Sequence, residues 1–378
     1  MRVAVLVLLS ACSSGFGAAS VPPATTAAEL GKLVFHDTGL SQPAGQACAD
    51  CHASASAFRD PETDHTSSMG VVAGRFGSRN SPTAMYTAQI PALHYDAVEH
   101  GLVGGLFWDG RADSLELQAA GPLMNPLEMN NPDQASVVDK LRLAPYADEF
   151  RAVYGDDALD NDATAFAHLT SALGAYERSP ELAPFTSKYD RFLAGKEVLT
   201  ASEERGHELF DDPTRGNCAS CHPDQASAGG APPMFTNFAY ANLGVPAYSN
   251  NLFLVQPAPF NPDGVNYRDR GLGRTTDDPT LDGQFRVPTL RNIARTAPYG
   301  HNGYFANLTY FVEFLATRDV GSPNVGTCSR APNTPTASCA WPPAEFPATV
   351  DHHVGDLDLS QTDIEDLVAF LETLTDAS

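Results

Sequence analysis

Apolar residues recur at helical spacing in several separate segments of this 378-residue chain. The clearest is LSQTDIEDLVAFLETLTD near the end, where Ile364, Leu367, Val368, Phe370 and Leu371 fall on one helical face. The segments NPDQASVVDKLRLAPYADEFRAVYG and DNDATAFAHLTSALGAYERS have the same period behind polar caps. We find no run of alternating apolar and polar residues that would indicate strands. The pattern therefore predicts an all-α fold in which the remainder is long, Gly- and Pro-rich loop.

Two helical segments resemble each other. AAELGKLVFHD and SEERGHELFDD place Gly31 opposite Gly206 and Phe35 opposite Phe210, and each opens after a Thr or Ser with Glu close behind. We interpret them as a weak internal repeat, meaning two copies of one module.

The beginning of the chain, MRVAVLVLLSACSSG, has the pattern of an export signal. Residues 3–9 form an apolar run that is far shorter than the ~20 residues needed to span a bilayer. LSAC resembles a bacterial lipobox, which predicts a lipoprotein signal over 1–11, a lipid anchor at Cys12 and a flexible tether over 12–26. The alternative is a plain secretory signal with an incidental cysteine. Both predict a periplasmic or cell-envelope protein.

Composition and charge narrow the function classes. The chain is 43% hydrophobic with a formal net charge of −23. Nucleic acid is an unsuitable partner because its phosphates require a basic face. The acidic balance fits either a basic partner or solubility alone.

The motif Cys-x-x-Cys-His occurs twice. The residues are Cys48, Cys51 and His52 in QACADCHAS, and Cys218, Cys221 and His222 in GNCASCHPD. A thioredoxin-like pair has no use for the histidine, and zinc ribbons place their two halves only ~15–20 residues apart. Haem c attachment uses both thiols for the vinyl groups and the adjacent imidazole as the proximal iron ligand. The motifs therefore predict two covalently bound haems c. Cys328 and Cys339 remain, and we expect them to form a loop disulfide.

The sequence resembles the bacterial di-haem cytochrome c peroxidases and the related MauG enzymes. The shared motifs are GSRNSPT (77–83), FWDGRADSLELQAAGPLMNPLEM (107–129), FTNFAYANLGVP (235–246) and GQFRVPTLRNIARTAPYGHNG (283–303). The resemblance implies two cytochrome c-like haem domains in tandem, with cofactor-wrapping loops. The peroxidatic haem would belong to residues 27–185 and the electron-transfer haem to residues 186–378.

The same resemblance implies roles for individual residues. Gln118 and Glu128 match the pair that stands over the peroxidatic haem, and Trp108 matches the tryptophan between the haems. Cleaving H₂O₂ needs a base that takes a proton from one oxygen and returns it to the other, which a carboxylate of raised pKa can do. Without the resemblance, a solvated loop carboxylate and a tryptophan that fills the core are the simpler interpretations.

A calcium ion is implied as well, with ligands from Asn80, Thr296 and Pro298. For the peroxidatic haem, His65 is a candidate distal ligand in the resting state, with Met69 as a second candidate, and an exposed loop histidine is the alternative.

The chain departs from the family at one position. The sixth ligand of the second haem lies 17 residues beyond the TAP proline, where the peroxidases have Met and MauG has Tyr, but this chain has Leu315. Leucine has no lone pair, so we expect either an open or water-filled site or a ligand from elsewhere.

Taken together, these features predict a cytochrome-c peroxidase that reduces hydrogen peroxide with electrons from a small donor protein, such as a cytochrome c or a cupredoxin. One alternative is a MauG-like oxidase that acts on a protein or organic substrate through high-valent iron. The other is a non-enzymatic di-haem electron carrier, which would not need Gln118 and Glu128. A second copy of the chain is a candidate partner, as a homodimer.

Overall fold

The structure, a computed structural model, describes residues 26–62, 64–226, 230–320 and 341–377. Helices dominate this part of the chain, in agreement with the predicted fold class. The α-helices are α1 (Ala27–Phe35), α2 (Cys48–Cys51), α3 (Leu115–Met124), α4 (Gln134–Leu143), α5 (Ala147–Tyr154), α6 (Asp162–Glu177), α7 (Lys188–Leu193), α8 (Ala201–Asp211), α9 (Leu272–Thr276), α10 (Leu308–Thr317) and α11 (Gln361–Glu372).

Within the described ranges, two small antiparallel ladders also occur, and the sequence did not predict them. They pair β1 (His94–Asp96) with β2 (Gly101–Val103) and β3 (Tyr240–Ala241) with β4 (Phe285–Arg286). Strands of two or three residues are too short for a period-2 pattern to appear in the sequence.

The proposed internal repeat has a clear structural counterpart. Helix α1 packs against α6 in the first half, and α8 packs against α11 in the second. A Cβ on Gly31 would lie 1.9 Å from the carbonyl oxygen of Ala172, and one on Gly206 would lie 2.0 Å from that of Asp366. The two aligned glycines therefore serve the same purpose, since each lets its helix approach the partner backbone too closely for any side chain.

The start of each repeated helix follows the predicted capping pattern. Thr26 and Glu29 form a capping box at α1, and Thr200 and Glu203 form one at α8. In each box the threonine side chain accepts from the glutamate backbone N–H, and the glutamate side chain accepts from the threonine backbone N–H. These reciprocal bonds satisfy backbone donors that a helix start would otherwise leave unpaired.

Two large hydrophobic cores lie on either side of the predicted boundary. One consists of buried residues between Leu30 and Leu182, and the other of buried residues between Tyr189 and Leu374. The predicted division at 185/186 falls between them and stays a prediction. The proposed signal 1–11, Cys12, nearly all of the tether 12–26, and the Cys328–Cys339 pair lie outside the described residues. In the described residues, no helix has the length and apolar character to span a bilayer.

Candidate functional site

The first Cys-x-x-Cys-His motif forms the short helix α2 and the residue after it. The backbone N–H of His52 donates to the carbonyl of Cys48 at 2.9 Å, which places the imidazole directly after a helical turn. Its Nδ1 lies 3.0 Å from the carbonyl oxygen of Phe58. Because that carbonyl only accepts, Nδ1 carries the proton and Nε2 keeps its lone pair for a metal.

The second motif repeats this geometry. The backbone N–H of His222 donates to the carbonyl of Cys218 at 2.9 Å, and its Nδ1 lies 2.7 Å from the carbonyl oxygen of Phe235. Burial lowers the pKa of His222 to about 4, so this imidazole is neutral at physiological pH. Both histidines are thus held as neutral Nδ1–H tautomers, the form in which imidazole binds iron.

The four thiols are poorly suited to redox or zinc chemistry. None of the four is in a disulfide. Burial raises the pKa of Cys48, Cys51 and Cys218 to about 12, and it raises the pKa of Cys221. Reactive and metal-binding cysteines need a lowered pKa, because the thiolate is the nucleophile and the ligand. The buried thiols therefore show no sign of a redox or zinc site, and haem attachment rests on the Cys-x-x-Cys-His motifs themselves.

Both motifs line one cavity of about 760 Å³. The motif residues on its wall are Cys48, Cys51, His52, Cys218, Cys221 and His222. Most of the remaining wall is hydrocarbon, contributed by both cores. A large apolar space, reached by two pairs of thiols and two imidazole nitrogens with free lone pairs, fits haem groups by its donor set.

Two of the predicted catalytic side chains line the same cavity. Gln118 lies in α3, and Glu128 follows in the turn after it, where the Glu128 backbone N–H donates to the carbonyl of Asn125 at 3.0 Å. Burial raises the pKa of the Glu128 carboxyl, while Arg111 and the Asn125 side chain offset part of the rise. A carboxyl whose pKa is raised towards neutral is suited to proton transfer.

Arg111 and Glu177 also line the cavity, and neither of them was assigned a role from the sequence. Arg111 lies 3.5 Å from the centroid of the Phe107 ring and donates to Oδ1 of Asp109 at 2.7 Å. Glu177 of α6 is buried, and burial raises its pKa to about 7. The Thr87 hydroxyl donates to its Oε2 at 3.2 Å. Arg111 lies within a motif quoted above, whereas only the fold brings Glu177 to the cavity.

Trp108 lines the cavity that the two motifs share. Its indole Nε1 donates to the backbone carbonyl of Asn80 at 2.9 Å, and its own carbonyl accepts from the backbone N–H of Arg286 at 2.9 Å. Phe107, directly before it, has a φ of 64°, which is unusual for a bulky residue and marks a constrained backbone. Contacts from both halves of the chain therefore hold the indole in place.

Comparison with known proteins identifies the family to which this chain belongs. The family model described as di-haem cytochrome c peroxidase matches residues 25–198. Methylamine utilization protein MauG of Paracoccus denitrificans is 38% identical over 386 residues, which cover 100% of this chain and 96% of the relative. The chain belongs to the di-haem cytochrome c peroxidase and MauG family.

Two further relatives are named as peroxidases. Cytochrome c551 peroxidase of Nitrosomonas europaea is 30% identical over 298 residues, covering 79% of this chain and 75% of the relative. The crystal structure of the diheme peroxidase BthA from Burkholderia thailandensis matches with a TM-score of 0.76 and 32% identity, covering 93% of this chain and 86% of that chain. Membership in a di-haem family supports two haem cofactors.

The residues that the family resemblance associates with calcium also meet at the cavity. Asn80, Thr296 and Pro298 all line it, and the Asn80 side-chain nitrogen donates to the carbonyl of Pro298 at 2.6 Å. A Ca²⁺ ion binds oxygen ligands, so it would require the Asn80 amide to turn its oxygen towards that carbonyl. The calcium site stays a prediction.

A buried ion-pair network that the sequence did not reveal joins the two halves beside Trp108. Arg79 pairs with Asp109 at 2.8 Å and with Asp269 at 2.6 Å, and all three side chains are largely buried. Burial alone would raise the pKa of Asp269, but the Arg79 guanidinium lowers it to about 2. Arg79 and Asp269 are 190 residues apart in the chain, so only the fold reveals their pairing.

The candidate distal ligands of the first haem lie away from the cavity wall. The His65 ring packs edge-to-face on Phe76 with centroids 4.9 Å apart, and Met69 is exposed. Neither side chain lines the cavity, although Ser68 does. A ligand role for His65 stays a prediction, and it would require this loop to move.

Proposed function

We propose that this chain is a di-haem c-type peroxidase that reduces hydrogen peroxide to water with electrons from a small donor protein. The observation that carries the proposal is one cavity lined by both Cys-x-x-Cys-His motifs, by Gln118 and Glu128, and by Trp108. Relatives named cytochrome c551 peroxidase and cytochrome c peroxidase support it.

In this proposal, each motif would hold one haem by two thioethers and one histidine. A haem held by His52 would supply an iron at which a peroxide oxygen binds, together with electrons that reduce the O–O bond. The Nδ1–H bond to the Phe58 carbonyl fixes the orientation of the imidazole and increases its basicity as a ligand. The same reasoning applies to His222 and Phe235.

Glu128 moves the proton in this scheme. Its raised pKa lets the carboxyl accept a proton from one peroxide oxygen and return it to the departing one. Gln118, an amide without a titratable proton, orients the peroxide by hydrogen bonding. Arg111 moderates the pKa of Glu128 by its positive charge. Reduction of one H₂O₂ to two H₂O consumes two electrons and two protons, so two one-electron donors are oxidised per peroxide.

Trp108 connects the two sites in this scheme. Its ring is large, flat and oxidisable, and it borders the cavity that contains both motifs. We assign electron entry to the second haem, on Cys218, Cys221 and His222. The formal charge of −23 suits a donor with a basic docking face. A calcium ion at Asn80, Thr296 and Pro298 would stabilise the contact between the halves.

A second candidate function has support of its own. The relative that covers the whole chain at 38% identity is named methylamine utilization protein MauG, which favours an oxidase acting on a protein or organic substrate. Leu315 does not decide between the two candidates, because this position has neither the tyrosine typical of MauG nor the methionine typical of the peroxidases. A pure electron carrier accounts poorly for a carboxyl of raised pKa on the cavity wall.

We place the activity in the periplasm, where the haems are attached and where the export signal would deliver the chain. Lipidation at Cys12 and pairing of Cys328 with Cys339 belong to the same proposal, and mass spectrometry of the mature protein tests both.

The test is an anaerobic assay with a reduced small cytochrome c, a reduced cupredoxin and H₂O₂. We expect peroxide-dependent oxidation of a donor, with two donor molecules oxidised per peroxide. Peroxide oxidation of the haems without any donor turnover would contradict the peroxidase proposal and favour the oxidase. No reaction with peroxide would leave only the electron carrier.

A further inference from the structure

Helix α10 presents a purely hydrocarbon face to the cavity. Leu308, Phe311, Val312 and Leu315 line the wall, and their spacing of three, four and seven residues places them on one side of the helix. This is the helix from which, by resemblance to the family, the sixth ligand of the second haem would come. None of these four side chains has a lone pair for iron.

Hydrocarbon side chains continue around this part of the cavity. The residues contributed by the segment before α11 and by α11 itself are Val354, Leu357, Leu359, Leu367 and Leu371. The backbone N–H of Gly355 donates to the carbonyl of Leu315 at 2.6 Å, and that of Leu357 donates to the carbonyl of Ala316 at 3.1 Å. These bonds fix the segment against the end of α10, so the apolar wall is continuous.

Among the described residues of the cavity wall, Tyr299 and His353 carry donor atoms on segments that contact α10, but both are otherwise engaged. The Tyr299 hydroxyl donates to the carbonyl of Ile293 at 2.7 Å, and burial raises the pKa of this phenol. His353 borders the cavity, yet its side chain is 77% exposed, and its Nδ1 lies 2.6 Å from Oδ1 of Asp351. An imidazole that faces solvent to this extent is not placed as an interior iron ligand.

We propose that the second haem iron has no side-chain sixth ligand and binds small uncharged molecules, such as CO, NO or O₂, in this hydrocarbon pocket. The proposal rests on haem attachment at Cys218, Cys221 and His222, as proposed above. An apolar wall disfavours anions, because burying an unpaired charge is costly. The same apolar wall has little effect on the binding of uncharged diatomic molecules. The site near Glu128 and Gln118 is polar, so the two irons would differ in ligand preference.

The experiment counts ligand-binding irons on the intact di-haem protein. Pyridine haemochrome analysis first establishes two haems per chain. We expect electron paramagnetic resonance of the ferric protein to show a high-spin second haem, and the dithionite-reduced protein to bind two CO per chain. Leu315→Met should supply a thioether, turn that haem low-spin and reduce the stoichiometry to one CO. Leu315→Val, which stays hydrocarbon, should keep two.

A wild-type protein whose second haem is low-spin and does not bind CO would overturn the inference. In that case His353→Ala, compared with His352→Ala, would determine whether His353 had taken the sixth position. His352 is the matched control, because it is equally exposed, at 78%, and bonds to Asp319 instead. Peroxide turnover is measured separately on the same preparation. Two CO per chain without turnover would reject the proposed function and leave this inference standing.

Discussion

The indole Nε1 of Trp108 donates a hydrogen bond to the backbone carbonyl of Asn80 at 2.9 Å. The side chain of Asn80 reaches the carbonyl of Pro298 in the other half of the chain at 2.6 Å. The tryptophan on the wall of the shared cavity is therefore anchored to a residue that also contacts the other half of the chain. Because the acceptor is a backbone carbonyl, a shift of the backbone at Asn80 should also move the indole.

Trp108→Phe should keep both haems but slow electron transfer between them. Phenylalanine retains an aromatic ring for packing but is far harder to oxidise than indole, and it loses the bond to the Asn80 carbonyl. The measurement is stopped-flow absorbance of the half-reduced protein mixed with peroxide, following oxidation of the second haem. Trp341→Phe is the matched control, because Trp341 is buried in the second core and donates to Thr317 instead. Equal rates in both variants would argue against a relay through Trp108.

Covalent haem attachment should follow the two motifs independently. The mass of the wild-type chain after acid–acetone extraction should exceed the peptide mass by two haems. Replacing Cys48 and Cys51 by alanine should remove one covalent haem, and replacing Cys218 and Cys221 should remove the other. Pigment that extracts from the wild type, or zinc in place of iron, would contradict the attachment sites.

The features that sequence alone could predict are local ones. The capping pairs Thr26–Glu29 and Thr200–Glu203 and the aligned glycines Gly31 and Gly206 depend on residues a few positions apart or on a repeated pattern. The attachment motifs are also local. Gln118, Glu128 and Trp108 could be singled out only by resemblance to the family, because nothing in their immediate sequence marks them as cavity residues.

Features that depend on long-range packing were not predictable in this way. The pairing of Arg79 with Asp269 and the position of Glu177 beside the first motif require the completed fold. So does the hydrocarbon wall around Leu315, which combines residues of α10 with residues of a later segment and α11. Burial and its effect on pKa emerge only at this level.

Glu177 should make stability fall with rising pH. Burial raises its folded pKa to about 7, above the unfolded value of ~4.3. Below the unfolded pKa both states hold the proton, so Glu177 does not reduce the free energy of unfolding. Between the two values only the unfolded state releases it, and the loss approaches about 4 kcal/mol once the pH exceeds the folded pKa. Denaturant unfolding between pH 4 and 8 measures this decline.

Glu177→Gln should remove that decline, since glutamine does not titrate. Glu116→Gln is the control, because the hydrogen bond from Arg178 lowers the pKa of Glu116, so that this carboxyl contributes in the opposite direction. A pH profile that Glu177→Gln leaves unchanged would show that this carboxyl does not titrate in the neutral range.

Calcium removal should weaken the contact between the halves and disturb Trp108. We expect a chelator to lower the thermal transition temperature and the rate of electron transfer between haems, and added Ca²⁺ to restore both. Mg²⁺ should restore less, because it demands a tighter octahedral shell than an amide and two backbone carbonyls offer. Asn80→Ala should abolish the response. A calcium content of zero in the purified protein, with full activity, would contradict a calcium site at Asn80.

Peroxide cleavage in the proposed reaction depends on proton transfer by Glu128. The most direct measurement is single-turnover stopped-flow absorbance of Glu128→Gln with H₂O₂, alongside Glu116→Gln, an α3 carboxylate that pairs with Arg178 and does not line the cavity. General acid–base groups typically contribute 10²–10⁴-fold, so we expect Glu128→Gln to slow the peroxide reaction by about 10²-fold or more with both haems retained. Glu116→Gln should react at the wild-type rate. A wild-type rate in Glu128→Gln would show that Glu128 does not transfer the proton.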